Sequence, residues 1–152
     1  MTGTLNNTRP VKDQGPNYGA RSVTLTAATT LDGGYDGKTI IISNSTGFAI
    51  TLPAALGTGL RLRFYVGTTV ASGTQTIVVS GSDVMKGFAH QFGDDASALG
   101  GFSTTSAGTI TMDGSTRGGF AGDWIDMEDV ASGVWSVRMY GHATGTEATP
   151  FS

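Results

Sequence analysis

Residues 59–66 read Gly-Leu-Arg-Leu-Arg-Phe-Tyr-Val, the clearest alternation in the chain. Leu62, Phe64 and Val66 fall on one face of an extended segment; Arg61, Arg63 and Tyr65 fall on the other. Period two is the mark of a strand buried on one side only. Gly57 and Gly59 precede it, and Pro53 ends the segment before, because proline has no N–H to give a ladder.

The same pattern recurs on both sides. Val23 and Leu25 alternate with Thr24 and Thr26, and Lys38 to Ser43 holds the β-branched run Ile40, Ile41 and Ile42. Phe48, Ile50 and Leu52 alternate beyond a turn at Asn44 to Gly47, so these two segments are expected to form a hairpin. Gln75 to Ser80, with Ile77 and Val79 on one face, is the expected partner of 61–66. Thr109 to Asp113, Gly122 to Glu128 and Val134 to Tyr140 complete the set. In the last two, Ile125, Met127, Trp135, Val137 and Met139 point inward. The expected fold is all-β, a compact antiparallel β-sandwich or barrel of about eight strands. No fixed repeat of roughly 20–50 residues is present, which speaks against a solenoid.

Three regions stand apart from the strands. Residues 1–20 have little apolar periodicity and contain Pro10, Gly15, Pro16 and Gly19, so they read as an extended N-terminal arm. The β-domain then runs over 21–141, interrupted by a long loop excursion at 85–120. Residues 142–152 form a small, polar C-terminal tail.

Composition narrows the function. Gly 24, Thr 23 and Ser 13 dominate the 152 residues, and charged residues are 14%, against about 25% in an average domain. That excludes a helical bundle. A net charge of -3 with pI ≈ 5.1 speaks against nucleic acid, which needs a basic stripe. The 38% hydrophobic share speaks against disorder. With no cysteine, disulfides, thiolate metal sites and a cysteine nucleophile are excluded. Met1 to Ala20 carries no signal-peptide pattern, and no membrane span is present. The expectation is a protein made in a cytoplasm and then assembled.

Catalytic candidates are few. His90 lies near Asp94 and Asp95, and His142 stands alone; both read as solvated histidines rather than metal ligands, which would converge in threes or fours. Asp32 and Asp36 read as turn formers, lacking the ligand pattern of a calcium loop. Asp126, Glu128 and Asp129 read as an exposed strand edge whose charges block unwanted pairing. No nucleophile elbow, Walker loop or dinucleotide fingerprint is present. Arg61, Arg63 and Tyr65 share one strand face, and Arg138 shares another with Tyr140. Arg and Tyr are enriched at protein interfaces, so these five are the expected subunit contacts.

The order of segments carries a resemblance. Val-Thr-Leu-Thr at 23–26 is followed by Asp36-Gly-Lys-Thr-Ile-Ile-Ile, Phe48-Ala-Ile-Thr-Leu-Pro53 and the 59–66 stretch. Thr76-Ile-Val-Val, Gly81-Ser-Asp-Val, Gly122-Asp-Trp-Ile and Gly133-Val-Trp-Ser-Val come after. Together these resemble a small β-domain of tailed-bacteriophage structural proteins over about residues 22–140. The resemblance implies a structural virion protein, most like a capsid decoration (cement) protein. It would sit on the outer capsid surface as a homotrimer, with the major capsid protein as partner. It implies no enzymatic activity, no cofactor and no metal. Thr4, Leu5, Arg9, Pro10, Val11 and Tyr18 of the arm are the expected capsid contacts, through main-chain strand addition. The alternative is a tail or head fibre domain recognising a host surface glycan, with Phe88, Phe92, Phe102 and Phe120 stacking on sugar.

Overall fold

The computed structural model describes residues 21–94 and 99–152. The arm, with Thr4, Leu5, Arg9, Pro10, Val11 and Tyr18, lies outside the described residues, as does Asp95. The described residues form eleven strands. These are β1 (Ser22–Leu25), β2 (Thr29–Thr30), β3 (Thr39–Ile42), β4 (Ala49–Thr51), β5 (Arg61–Val66) and β6 (Gln75–Val78). They continue as β7 (Val84–Phe92), β8 (Leu99–Ala107), β9 (Thr109–Met112), β10 (Trp124–Ala131) and β11 (Val134–His142). A seven-stranded sheet has the order β1-β3-β5-β10-β11-β7-β8, and a four-stranded sheet the order β2-β4-β6-β9. The protein is all-β, as the alternation requires.

Strand direction departs from the expectation of an antiparallel fold. From β1 to β6 the chain alternates between the two sheets, and each strand pairs parallel with the one two before it. This is a short solenoidal winding. One turn spans Ser22 to Thr39 and the next Thr39 to Arg63, so the turns differ by seven residues and leave no fixed period to find. The expected hairpin of 38–43 with 48–52 is therefore an arch, with β3 in one sheet and β4 in the other. Likewise β6 pairs with β4 and β9, and is not the partner of β5. Asn44 explains the arch: its amide donates to Thr26 O at 2.8 Å in the preceding turn, and its Oδ1 accepts from Thr46 N at 2.8 Å. A corner held to the corner beneath it cannot be the tip of a hairpin.

The remaining strands close the sandwich. β10 pairs antiparallel with β5 and with β11, and β11 pairs parallel with β7 over nine residues. The 85–120 stretch is thus no loop excursion, because β7, β8 and β9 all lie in it. In β7 and β8 the buried positions include Ala89, Gln91 and Ala107 beside Met85, small or polar residues that leave the hydrophobic alternation too weak to read as strand. The tail is also part of the fold. Phe151 is buried and bridges to Ile110, while Ser152 O accepts from Gly108 N and Thr109 N, each at 2.9 Å. The core lies between the sheets, with Phe64, Ile40, Ile125, Trp135 and Met139 from one and Ile50, Ile77, Ile110 and Met112 from the other.

Close packing leaves no room for a side chain at several glycines, Gly87 among them. Gly87 of β7 has φ 154° and faces Val137 of β11, and a methyl group there would overlap the Val137 carbonyl. Gly87→Ala is expected to cost about 1–3 kcal/mol and to lower the melting temperature by about 5 °C. Gly101→Ala in the neighbouring strand has open space and serves as the control. Equal melting of the two variants by circular dichroism would contradict the packing.

Candidate functional site on the outer face of the seven-stranded sheet

The registers of β5, β10, β11 and β7 align outward-pointing residues into rows across the sheet. One row runs Tyr65, Trp124, Tyr140, His90. The next runs Arg63, Asp126, Arg138, Phe88, and a third Arg61, Glu128, Ser136, Lys86. On the other side of the aromatic row, His142, Phe92 and Leu99 stand level on β11, β7 and β8.

The aromatic side chains touch one another. Tyr65 and Trp124 ring centroids are 4.8 Å apart. His90 and Tyr140 stack at 5.9 Å and 13°, and Phe88 meets both edge-on. Trp124, Tyr140, Phe88, Phe92 and Leu99 are 37% to 64% exposed, although all are large and apolar in body. Such side chains gathered on one face mark a contact surface, whereas single exposed ones do not.

Beside them lies an open groove of about 410 Å³, lined by Lys38, Thr39, Arg61, Arg63, Asp126, Glu128, Ser136 and Arg138 among others. Arg63 Nε donates to Asp126 Oδ1 at 2.7 Å, and Arg61 Nη2 donates to Glu128 Oε1 at 3.3 Å. The hydrogen bond and charge of Asp126 raise the pKa of Arg63 above its ordinary value, against a small opposing effect of burial. The Arg63 guanidinium also lies over the Trp124 ring, 5.5 Å from its centroid. These pairs are exposed, so each contributes only about 0–1 kcal/mol to stability; their effect is to hold the groove's walls in place.

On the far side of the aromatic row from the groove, Asp123 is fully buried and its carboxylate accepts from four donors. Its Oδ2 takes the N–H groups of Gly119 at 2.8 Å and Phe120 at 3.1 Å, and its Oδ1 takes His142 N at 3.0 Å. The same Oδ1 lies 2.7 Å from His142 Nδ1, which leaves the ring's far side toward a cleft bordered by Phe92, Asp94 and Phe120.

All five expected contact residues lie on this face, but the structure divides them. Tyr65 and Tyr140 belong to the aromatic row, while Arg61, Arg63 and Arg138 line the groove. Of the four phenylalanines, Phe88 and Phe92 are exposed here, whereas Phe102 packs against the core. His90 is a strand residue stacked on Tyr140, not a loop histidine. Asp126, Glu128 and Asp129 do not sit on an edge, because β10 lies between β5 and β11. Asp126 and Glu128 point outward and Asp129 is buried. Parity was the signal: Asp129 is in phase with inward Ile125 and Met127. Asp32 does serve a turn, accepting from Gly34 N at 2.8 Å, whereas the Asp36 carboxylate accepts from Arg61 N at 3.0 Å and ties its loop to β5.

Among the described residues, no three His, Asp or Glu side chains converge on a metal position, and no helix is long and apolar enough to cross a membrane. No protein-family model, curated protein or solved structure matches the chain.

Proposed function

We propose that this is a structural virion protein of a tailed bacteriophage, a decoration protein that binds the outer capsid surface and associates with its own copies as a homotrimer. The observation that carries the self-association is the exposed band Trp124, Tyr140, Phe88, Phe92 and Leu99 on the broad sheet. Aromatic side chains dominate the energetics of protein contacts when water is excluded around them. The order of segments along the chain supports the phage assignment. Sedimentation equilibrium of the purified chain is expected to give three times the monomer mass, and of Trp124→Ser/Phe92→Ser the monomer mass. The wild type is expected to pellet with capsids stripped of decoration. A monomer at about 100 μM, a concentration far above a micromolar dissociation constant, that also fails to pellet would overturn the proposal.

A second reading, a fibre domain that recognises a host surface glycan, is favoured by one observation. The groove joins free carboxylate oxygens, hydroxyls and cations in a space of ligand size.

A further inference from the structure

We infer that the groove binds an acidic saccharide, a hydroxyl-rich sugar bearing a carboxylate; this rests on the second reading above and names its ligand class. Charge comes first. The face carries five Lys/Arg (Lys38, Arg61, Arg63, Lys86, Arg138) against Asp126, Glu128 and, at its border, Asp36, within a chain that holds 9 Lys/Arg and 12 Asp/Glu overall. The basic residues are thus gathered on one side of an acidic protein, and a ligand there is drawn in as an anion.

Three cations are available to it. Arg61 and Arg63 are engaged by Glu128 and Asp126. Lys38, Lys86 and Arg138, the last level with Asp126 in the register, make no ion pair among the described residues. An arginine fork meets a carboxylate with two parallel hydrogen bonds, so Arg138 is the anchor.

The acceptors decide between a sugar and other anions. Asp126 uses Oδ1 for Arg63 and Glu128 uses Oε1 for Arg61, which leaves one oxygen of each carboxylate for a donor. Thr39 and Ser136 add hydroxyls at the groove's two sides. Sugar hydroxyls donate to carboxylates; the backbone of a nucleic acid or an acidic peptide side chain is repelled by them. The open space of about 410 Å³ suits a short saccharide of roughly one to three sugars rather than a protein element.

Titration calorimetry on the purified chain tests this with three probes: trigalacturonate, neutral maltotriose and hexaglutamate. Saturable binding of trigalacturonate is expected, weakened about tenfold or more by Arg138→Gln. Asp126→Asn separates the alternatives. It makes the groove more positive, so a simple anion site binds more tightly, whereas a site that uses the carboxylate as acceptor binds more weakly. Weaker binding is expected. Tighter binding in Asp126→Asn, or hexaglutamate binding as well as trigalacturonate, overturns the inference in favour of an acidic protein partner or a plain anion site. Binding of maltotriose but not trigalacturonate overturns the acidic ligand and keeps glycan recognition; no binding of either at about 10 mM, beyond the range of useful affinity, sinks both.

Discussion

Trp135→Ala is expected to remove about 3–5 kcal/mol of stability, as truncation of a large core side chain does. Against a total of about 5–15 kcal/mol for a domain, that is enough to unfold much of the population on mild heating. Trp135 is fully buried on the inner side of β11, level with Asp129 on β10 and Met85 on β7. It therefore fills the space where the hairpin of β10 and β11 meets the late strands. Its indole Nε1 is buried with no hydrogen-bond partner, so part of its packing gain is offset by an unpaired donor. Trp135→Phe removes that donor but keeps a six-membered aromatic ring in the core, and should cost clearly less than alanine. Urea unfolding followed by circular dichroism ranks the three proteins. An alanine variant as stable as the parent would mean that the residue does not hold the core.

Asp129→Ala is expected to cost about 1–3 kcal/mol, because it leaves four part-buried donors without their acceptor. The carboxylate accepts from Leu56 N at 3.0 Å, Gly57 N at 2.7 Å, Thr58 N at 2.9 Å and Thr58 Oγ1 at 2.8 Å. A bulge follows between Asp129 and Ala131, and the loop before β5 is folded around the carboxylate. Asp129→Asn keeps the shape but turns one acceptor into a donor facing N–H groups, so it should be nearly as damaging. Because Asp129 and Trp135 are register partners, the double variant is expected to lose less than the sum of the two.

The same carboxylate gives a pH dependence. Burial pushes the Asp129 carboxyl up, but the N–H and hydroxyl of Thr58 with the N–H groups of Leu56 and Gly57 outweigh it, leaving the group below the ordinary 3.8. Asp113 follows the same course: burial raises it, and the N–H groups of Arg117 and Ser115 with the Thr116 hydroxyl bring it below 3.8. A folded value below the unfolded one means stability fully present above the ordinary value and lost as pH falls through the folded value. Acid unfolding should therefore set in below about pH 4, and its slope should be shallower in Asp129→Asn. An unchanged slope in urea melts taken from about pH 5 down through the ordinary carboxyl range would remove Asp129 as a cause.

Local pattern and long-range pairing were unequally legible. Inward Leu62, Phe64 and Val66 and outward Arg61, Arg63 and Tyr65 followed from alternation, and the structure keeps both faces. Trp135, Val137 and Met139 were legible in the same way. The strands β7 and β8 were not: in β8 glycine, serine and threonine carry little hydrophobic contrast, and in β7 the large apolar Phe88 and Phe92 point outward while Ala89 and Gln91 point inward. The contact face was half legible: the Arg and Tyr residues stood out, but nothing local says that Trp124, Tyr140 and Phe88 lie side by side. Asp123 and His142 meet across 19 residues, and no spacing rule links them.

What the sequence determined alone is the class and the facing of each strong strand, since period two is a property of the chain itself. Excess glycine and threonine placed the turns and strands, and excluded helices. Only the tertiary structure decided which strands pair and in which direction. Parallel pairing of β1, β3 and β5 joins residues far apart in sequence, and the arch at Asn44 looks locally like any turn until its amide is seen bonded to Thr26 in the neighbouring turn. The physical reason is that side-chain alternation fixes the face of a strand, while its neighbour is chosen by burial of the whole core and by backbone hydrogen bonds that every residue can make alike.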